Sequence, residues 1–245
     1  RFRLLAVNGP GLSPYSNVVI VATPAVIPGT PKGLVLSQIT ASGFLAAWSA
    51  PDSDGGSAIT DYKLELSEDG STWKTLSKSA SASTSFTFNS LLPGKKYYVR
   101  VSAVNLVGSS PATSSVFATT LATTPSAPKN LASSAITSTG VTLSWTAPDS
   151  DGGSALMEYR LEQSADAGQT WTTVVKPLAA STSVSITNLS PGSSYRFRLL
   201  AVNGPGLSPY SNVVTVLTPA VIPGTPKGLV LSQITTSGFL AAWSA

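Results

Sequence analysis

The segments LLPGKKYYVRVSAVN (residues 91–105) and LSPGSSYRFRLLAVN (residues 189–203) decide how the rest of this sequence is interpreted. In each segment a Pro-Gly pair precedes a Tyr, after which apolar and polar side chains alternate. Alternation with a period of two is typical of a β-strand that buries one face, and Pro-Gly is typical of a turn. The sequence therefore predicts the same element, a turn followed by a half-buried strand, at two places.

The whole chain repeats in the same manner. Trp48, Trp145 and Trp243 are separated by 97 and 98 residues. In addition, residues 1–50 return almost unchanged as residues 196–245. A period of about 97 residues is the length of one β-sandwich domain, so we predict two diverged types, repeat A and repeat B, that alternate along the chain. The two long copies differ at three positions, Ile20 against Thr215, Ala22 against Leu217, and Ala41 against Thr236.

These spacings divide the chain into four predicted segments. Residues 1–23 are the C-terminal part of a repeat B (strands F and G), and residues 28–121 are a complete repeat A. Residues 125–218 are a complete repeat B, and residues 223–245 are the N-terminal part of another repeat A (strands A and B). A half-sandwich leaves its apolar face uncovered, so we expect a parent polypeptide much longer than this chain.

Each complete repeat contains about seven short alternating segments separated by Gly, Pro, Asp and Ser clusters, which predicts an all-β, immunoglobulin-like sandwich. The turn-and-Tyr segments, the Pro-x-x-Leu words at residues 31–34 and 128–131, and the early Trp resemble fibronectin type III domains. The words around SAPDSDGGSAITDYKLELSEDG resemble bacterial secreted versions of that family more than animal ones. The resemblance covers the whole chain and implies tandem sandwiches.

The resemblance also implies roles for individual residues. Tyr97 and Tyr195 are expected to form a tyrosine corner, in which the phenol bonds to backbone a few residues upstream. The Trp residues are expected to fill the centres of the cores, where removing a large aromatic side chain costs ~3–5 kcal/mol. The predicted structural core residues are Trp48, Trp145, Trp243, Tyr97, Tyr195, Leu91 and Leu189.

Composition excludes several classes of chemistry. The chain has no Cys and no His, so disulfides, thiolate metal sites and the commonest general base are absent. Its 15 Lys and Arg residues are scattered, which argues against nucleic-acid binding despite a net charge of +4. No apolar run reaches the ~18 residues of a membrane span. We predict that the chain is not an enzyme and has no catalytic, cofactor or metal site.

The string DSDGGS, at residues 52–57 and 149–154, has the most site-like composition. Two carboxylates beside glycines are compatible with Ca²⁺, which takes six to eight oxygen ligands. The string lacks a bidentate Glu at the required distance, and Asp-Gly clusters are typical of turns. We therefore interpret it as a plain turn.

Four aromatic residues offer a second candidate site. Trp73 with Tyr62, and Trp171 with Tyr159, are compatible with a platform on which sugar rings stack. Their places in the alternating pattern favour core or half-buried packing instead. The loop that carries Arg-Gly-Asp in integrin-binding relatives of the resembled family reads Asn105-Leu-Val-Gly here, so no integrin motif is present.

The segments between repeats are short and rich in Pro. Pro fixes φ and favours extended geometry, so we predict semi-rigid spacers and an elongated rod. The apolar residues Val26 and Ile27 are positioned to wedge between neighbouring sandwiches.

These features predict a structural function, in which the repeats form a spacer, stalk or fibre of a long extracellular or cell-surface protein. With only 11% charged residues, against a typical ~25%, the repeats are also candidates for lateral self-association into a filament or sheath. The predicted partners are neighbouring repeats in the same chain, and then other copies, a surface or a glycan. Two alternatives remain open: a linker array of a secreted polysaccharide-degrading enzyme, and adhesin repeats that bind glycan or protein.

Overall fold

The structure, a computed structural model, describes residues 1–175, 177 and 181–244. It contains two compact units, residues 1–122 and 123–245. Each unit contains a three-stranded sheet, a four-stranded sheet and one further two-stranded sheet. Within the described residues every regular element is a β-strand, which confirms the predicted all-β class.

The chain begins with β1 (Val7–Asn8) and β2 (Gly11–Leu12), which form a short antiparallel pair. Repeat A follows as two antiparallel sheets with seven strands in total. The three-stranded sheet has the order β3-β4-β7, and the four-stranded sheet has the order β6-β5-β8-β9. The strands are β3 (Lys32–Ser37), β4 (Phe44–Ser49), β5 (Asp61–Ser67), β6 (Lys74–Thr75), β7 (Ser85–Phe88), β8 (Lys96–Val104) and β9 (Val116–Thr119).

Repeat B has the same topology. Its three-stranded sheet runs β10-β11-β14, and its four-stranded sheet runs β13-β12-β15-β16. The tandem sandwich architecture predicted from the repeat period is therefore confirmed. The strands are β10 (Lys129–Ser134), β11 (Val141–Thr146), β12 (Glu158–Ser164), β13 (Thr172–Val175), β14 (Ser183–Ile186), β15 (Ser194–Val202) and β16 (Val214–Leu217).

The core of each repeat lies between its two sheets and is built around one Trp. In β4 the inward side chains are Phe44, Ala46 and Trp48, which follow the predicted period of two. The Trp48 ring meets the Tyr62 ring edge-on at 5.3 Å between centroids. Trp145 and Tyr159 repeat the contact in repeat B at the same distance. Edge-on aromatic pairs contribute about 0.5–1.5 kcal/mol beyond the area they bury.

The chain ends with β17 (Lys227–Thr235) and β18 (Gly238–Ser244), which pair in the register of β3 and β4. Trp243 on β18 is 62% exposed, whereas its counterpart Trp48 is 7% exposed. The difference arises because β17 and β18 form a two-stranded sheet, and no four-stranded sheet covers them within the described residues. The prediction that Trp243 is a core residue is therefore wrong for this chain.

Candidate functional site: a cradle for the linker

The DSDGGS loop of repeat A supports the linker that enters the repeat. The N–H of Val26 donates a hydrogen bond to the carbonyl of Gly55 at 2.9 Å. Gly55 has a φ of +75°, and a Cβ at this position would lie 2.1 Å from the carbonyl oxygen of Val26. Only glycine accepts both the left-handed backbone and this close approach. The loop therefore holds the linker by direct backbone contact.

Asn105, at the end of β8, completes the site from the other side. Its Nδ2 donates to the carbonyl oxygens of Val26 at 2.7 Å and Asp54 at 2.8 Å. Its Oδ1 accepts from the backbone N–H groups of Val107 at 2.9 Å and Gly108 at 3.1 Å. All four hydrogen bonds available to an amide side chain are made, and the residue is buried. One side chain thus joins the linker to two loops of the repeat.

Repeat B builds the same cradle from different linker residues. The N–H of Thr123 donates to the carbonyl of Gly152 at 2.8 Å, and Gly152 has a φ of +73°. Asn203 Nδ2 donates to the carbonyl oxygens of Thr123 and Asp151, both at 2.7 Å. The cradle consists of Gly55 and Asn105 in repeat A, and of Gly152 and Asn203 in repeat B. Its contacts with the linker are made to backbone atoms, so Val26 and Thr123 fit equally.

The carboxylates of the DSDGGS loop serve the loop itself. Asp52 forms an ion pair with Lys32, and Asp54 accepts a hydrogen bond from the N–H of Gly56 at 2.8 Å. Asp149 pairs with Lys129 in the same way. Among the described residues no three acidic side chains gather as metal ligands do. Residues 55–56 form a turn, and the loop also supports the linker, which the sequence did not predict.

The proposed aromatic platform is not assembled. Tyr62 and Tyr159 are buried between the sheets, whereas Trp73 and Trp171 lie half-buried on the outside of the four-stranded sheets. Each Trp ring stacks on an Arg guanidinium, that of Arg100 at 4.2 Å and that of Arg198 at 4.1 Å from the ring centroid. The two members of each proposed pair therefore occupy opposite faces of a sheet.

The stack in repeat B extends further. The Arg198 guanidinium also lies 3.7 Å from the Tyr210 ring centroid, and Glu162 accepts hydrogen bonds from Arg198 at 2.7 Å and from the Tyr210 hydroxyl at 3.1 Å. Burial and the neighbouring Glu162 carboxylate raise the pKa of Tyr210. Contacts of this cation–π type contribute about 0.5–1 kcal/mol at exposed sites, so the stack makes a modest contribution to the stability of repeat B.

The expected tyrosine corners are visible in both repeats. The Tyr97 hydroxyl accepts a hydrogen bond from the N–H of Leu92 at 3.1 Å, and the Tyr195 hydroxyl accepts one from the N–H of Ser190 at 2.9 Å. The second bond lowers the pKa of Tyr195. Leu91 packs partly buried against the core and Leu189 is buried. Tyr97 and Tyr195 lie near the start of β8 and β15, whereas the cradle Asn residues follow the ends of the same strands.

Sequence reasoning missed the function of Asn105 and Asn203. The word Ala-Val-Asn recurs at the end of both long strands, but a recurring Asn after a strand is usually assigned to a turn. The signal in the sequence that could have predicted this site is that the Asn recurs in both repeats together with the Gly-Gly pair of the DSDGGS loop. A buried Asn must find several hydrogen-bond partners, and adjacent glycines permit a backbone to approach closely.

The fold and the cradle define a class of protein: tandem, antiparallel sandwiches of the immunoglobulin-like type that hold their own linkers. Comparison with known proteins identifies the family within that class. The family model described as "Fibronectin type III domain" matches residues 29–119 and 126–217. The chain belongs to this family.

Relatives resemble this chain over most of its length. Fibronectin type-III domain-containing protein 3a of Gallus gallus is 33% identical over 242 residues, which cover 96% of this chain and 19% of the relative. Titin of Drosophila melanogaster is 32% identical over 213 residues, which cover 84% of this chain and 1% of the relative. These relatives are animal proteins, so the expected likeness to bacterial repeats is not supported.

The chain is also similar to a solved structure of the FN1–FN3 domains of chicken CNTN1. The TM-score is 0.58, with 18% sequence identity, and the match covers 88% of this chain and 75% of that one. At this identity the likeness concerns the fold. Within the described residues there is no helix with the length and apolar character needed to cross a membrane.

Proposed function

We propose that this chain is a structural spacer, an array of repeats that keeps other parts of an extracellular or cell-surface protein at a distance. The observation that carries the proposal is the cradle, because each complete repeat fixes the backbone of the linker that enters it. A linker held in this way acts as a semi-rigid spacer that limits how far one repeat can move relative to the next, whereas a free tether does not. We propose no catalytic activity for the chain.

Near-identity of the two copies supports the same function. Residues 1–50 and 196–245 differ at three positions, and none of the three belongs to the cradle. Repeats that share the same mechanical function can increase in number without loss of that function, because none of them contains a unique site. We further propose that long arrays associate laterally, since 11% charged residues give little mutual repulsion.

Sedimentation velocity on arrays of two, four and eight repeats tests both parts of this proposal. A spacer with held linkers is expected to show a frictional ratio that rises steadily with repeat number. Lateral association is expected to give a mass that increases with protein concentration in the longest array, because weak contacts add along it. An eight-repeat array that stays monomeric and sediments as a flexible chain would contradict the spacer and the association together.

A further inference from the structure

Repeat A carries four exposed apolar side chains at its cradle. They are Val26 and Ile27 of the linker and Leu106 and Val107 of the loop that follows β8, and they are between 46% and 88% exposed. Asn105 joins the two segments, and Cγ2 of Ile27 lies 3.2 Å from where a Cβ of Gly108 would be. We call these four side chains the apolar pole. A contiguous apolar patch at one end of a domain is typical of an interaction surface.

The cradle itself does not need the apolar pole. In repeat B the corresponding positions are Thr123, Thr124, Gly204 and Pro205, and the linker is held by the same backbone bonds. The apolar pole is therefore an additional property of repeat A. Four large apolar side chains in water, at positions where a sister repeat has small or polar ones, require a separate explanation.

The linker that enters repeat A occurs twice in the chain, once before the complete repeat A and once after the complete repeat B. The two copies together therefore show its contacts with both repeats. PAVIPGTP at residues 24–31 returns unchanged at residues 219–226. After the complete repeat B, the carbonyl of Pro219 accepts a hydrogen bond from the N–H of Gly192 at 3.2 Å, and the Cβ of Ala220 lies 3.5 Å from where a Cβ of Gly192 would be. Before the complete repeat A, the next linker position, Val26, is bonded to the cradle.

Taken together, the two copies leave one residue between the linker positions bonded to the two repeats. The first position is bonded to the end of repeat B, and the third position is bonded to the start of repeat A. Consecutive Cα atoms are ~3.8 Å apart, so the end of a repeat B is brought within side-chain reach of the cradle of the repeat A that follows. The surface closest to the apolar pole is therefore the C-terminal end of the preceding repeat B, because the short linker joins the two repeats.

We infer that the apolar pole is the docking surface for the C-terminal end of the repeat B that directly precedes repeat A. This inference rests on the proposed spacer function, and it identifies the preceding repeat B as the partner that contacts repeat A next to its cradle. Burying the four side chains removes apolar surface from water, which favours association by about 25 cal/mol per Å². Because the linker already joins the partners, docking loses little further entropy.

The test uses a protein in which residues 125–218, the shared linker and residues 32–122 are joined in that order. Each repeat has both sheets and its own core, and repeat A alone, residues 24–122, is the reference. We expect the amide signals of Leu106 and Val107 to shift in NMR spectra when repeat B precedes repeat A. We also expect both repeats to tumble with a single correlation time, longer than that of repeat A alone.

Two variants serve as matched controls, because each replaces apolar side chains of the pole with small or polar ones and leaves every backbone N–H of the cradle in place. Leu106→Ser with Val107→Ser, and separately Val26→Thr with Ile27→Thr, are expected to keep the cradle and to abolish both the shifts of the amides at positions 106 and 107 and the common tumbling. Two independent correlation times in the unsubstituted protein would overturn the docking, even if the linker amides remain protected as the spacer function requires. Shifts at Leu106 and Val107 that grow with protein concentration would assign the pole to contacts between chains, and would also overturn it.

Discussion

At the scale of single residues, Asn105 and Asn203 are the side chains that bond each linker to the repeat that follows it. Each is buried and directs its amide toward backbone groups that have no regular strand partner. A buried carbonyl or N–H left unpaired costs about 1–3 kcal/mol, whereas a satisfied hydrogen bond contributes about 1 kcal/mol. Removing the amide is therefore more harmful than removing an average side chain.

Asn105→Ala is expected to lower the free energy of unfolding of repeat A by about 2–4 kcal/mol, because several buried backbone groups lose their partner at once. Urea unfolding measures the change. Asn89→Ala is the control, since Asn89 is exposed and its truncation is expected to cost less than about 0.5 kcal/mol. Equal effects of the two substitutions would show that the cradle amide is not stabilising.

Asp69 is expected to give repeat A a specific acid response, because its carboxylate is held by backbone N–H groups. Its carboxylate accepts hydrogen bonds from the N–H groups of Thr72 and Ser71, both at 2.7 Å, and these bonds lower the pKa far below its ordinary value of 3.8. A lowered pKa in the folded state means that the contribution to stability is complete above the unfolded pKa and is lost as the pH falls through the folded pKa. Asp166 repeats the arrangement, and the bond from the Thr170 side chain is the largest cause.

Asp69→Asn is therefore expected to flatten the decline in stability of repeat A between about pH 4 and about pH 2, since the amide cannot lose a charge there. Chemical unfolding at a series of pH values measures the slope for the variant and the unsubstituted protein. Parallel curves for the two proteins would show that Asp69 does not contribute to the acid response.

At the scale of elements, the DSDGGS loop and the linker form a single unit. Gly55 and Gly56 both have positive φ, at +75° and +79°. Both glycines lie beside the linker, but a Cβ on Gly56 would meet Ala25 at an ordinary contact distance of 3.8 Å, whereas a Cβ on Gly55 would overlap the linker backbone. Substituting the two glycines one at a time therefore separates the energetic cost of backbone strain from the cost of displacing the linker.

Gly55→Ala and Gly56→Ala are each expected to cost about 1–2 kcal/mol for a left-handed Ala. Gly55→Ala is expected to cost more, because its Cβ would lie 2.1 Å from the carbonyl oxygen of Val26 and push the linker away. Loss of hydrogen-exchange protection at the Val26 amide in Gly55→Ala alone is the expected sign. If both variants behave alike, the close contact has no energetic consequence.

The strands could be predicted from the sequence, whereas the cradle could not. Alternation is a local signal, so the inward side chains of β4 and β8 follow directly from the order of residues. The bond from Asn105 to Val26 joins residues 79 positions apart, and its acceptor is a backbone atom with no side-chain signature. Trp243 shows the opposite error, because a local pattern placed it in a core that needs a second sheet.

At the scale of the whole molecule, the linkers decide what the repeats can do together. The sequence predicted semi-rigid spacers from proline content alone. The structure gives a different reason why the linkers are ordered, since one residue of each linker, Val26 or Thr123, is bonded through both its N–H and its carbonyl to the repeat that follows. Order of this kind depends on the stability of the repeat, not on proline.

Amide hydrogen exchange at Val26 and Thr123 in the intact chain tests this central claim most directly. Amides bonded within a cooperative unit exchange only when that unit opens. We predict that the two amides exchange as slowly as those of the strands in their own repeats, and that Asn105→Ala accelerates Val26 while Thr123 is unchanged. Exchange of both amides at the rate of an unstructured peptide would contradict the account, because the linkers would then be free tethers.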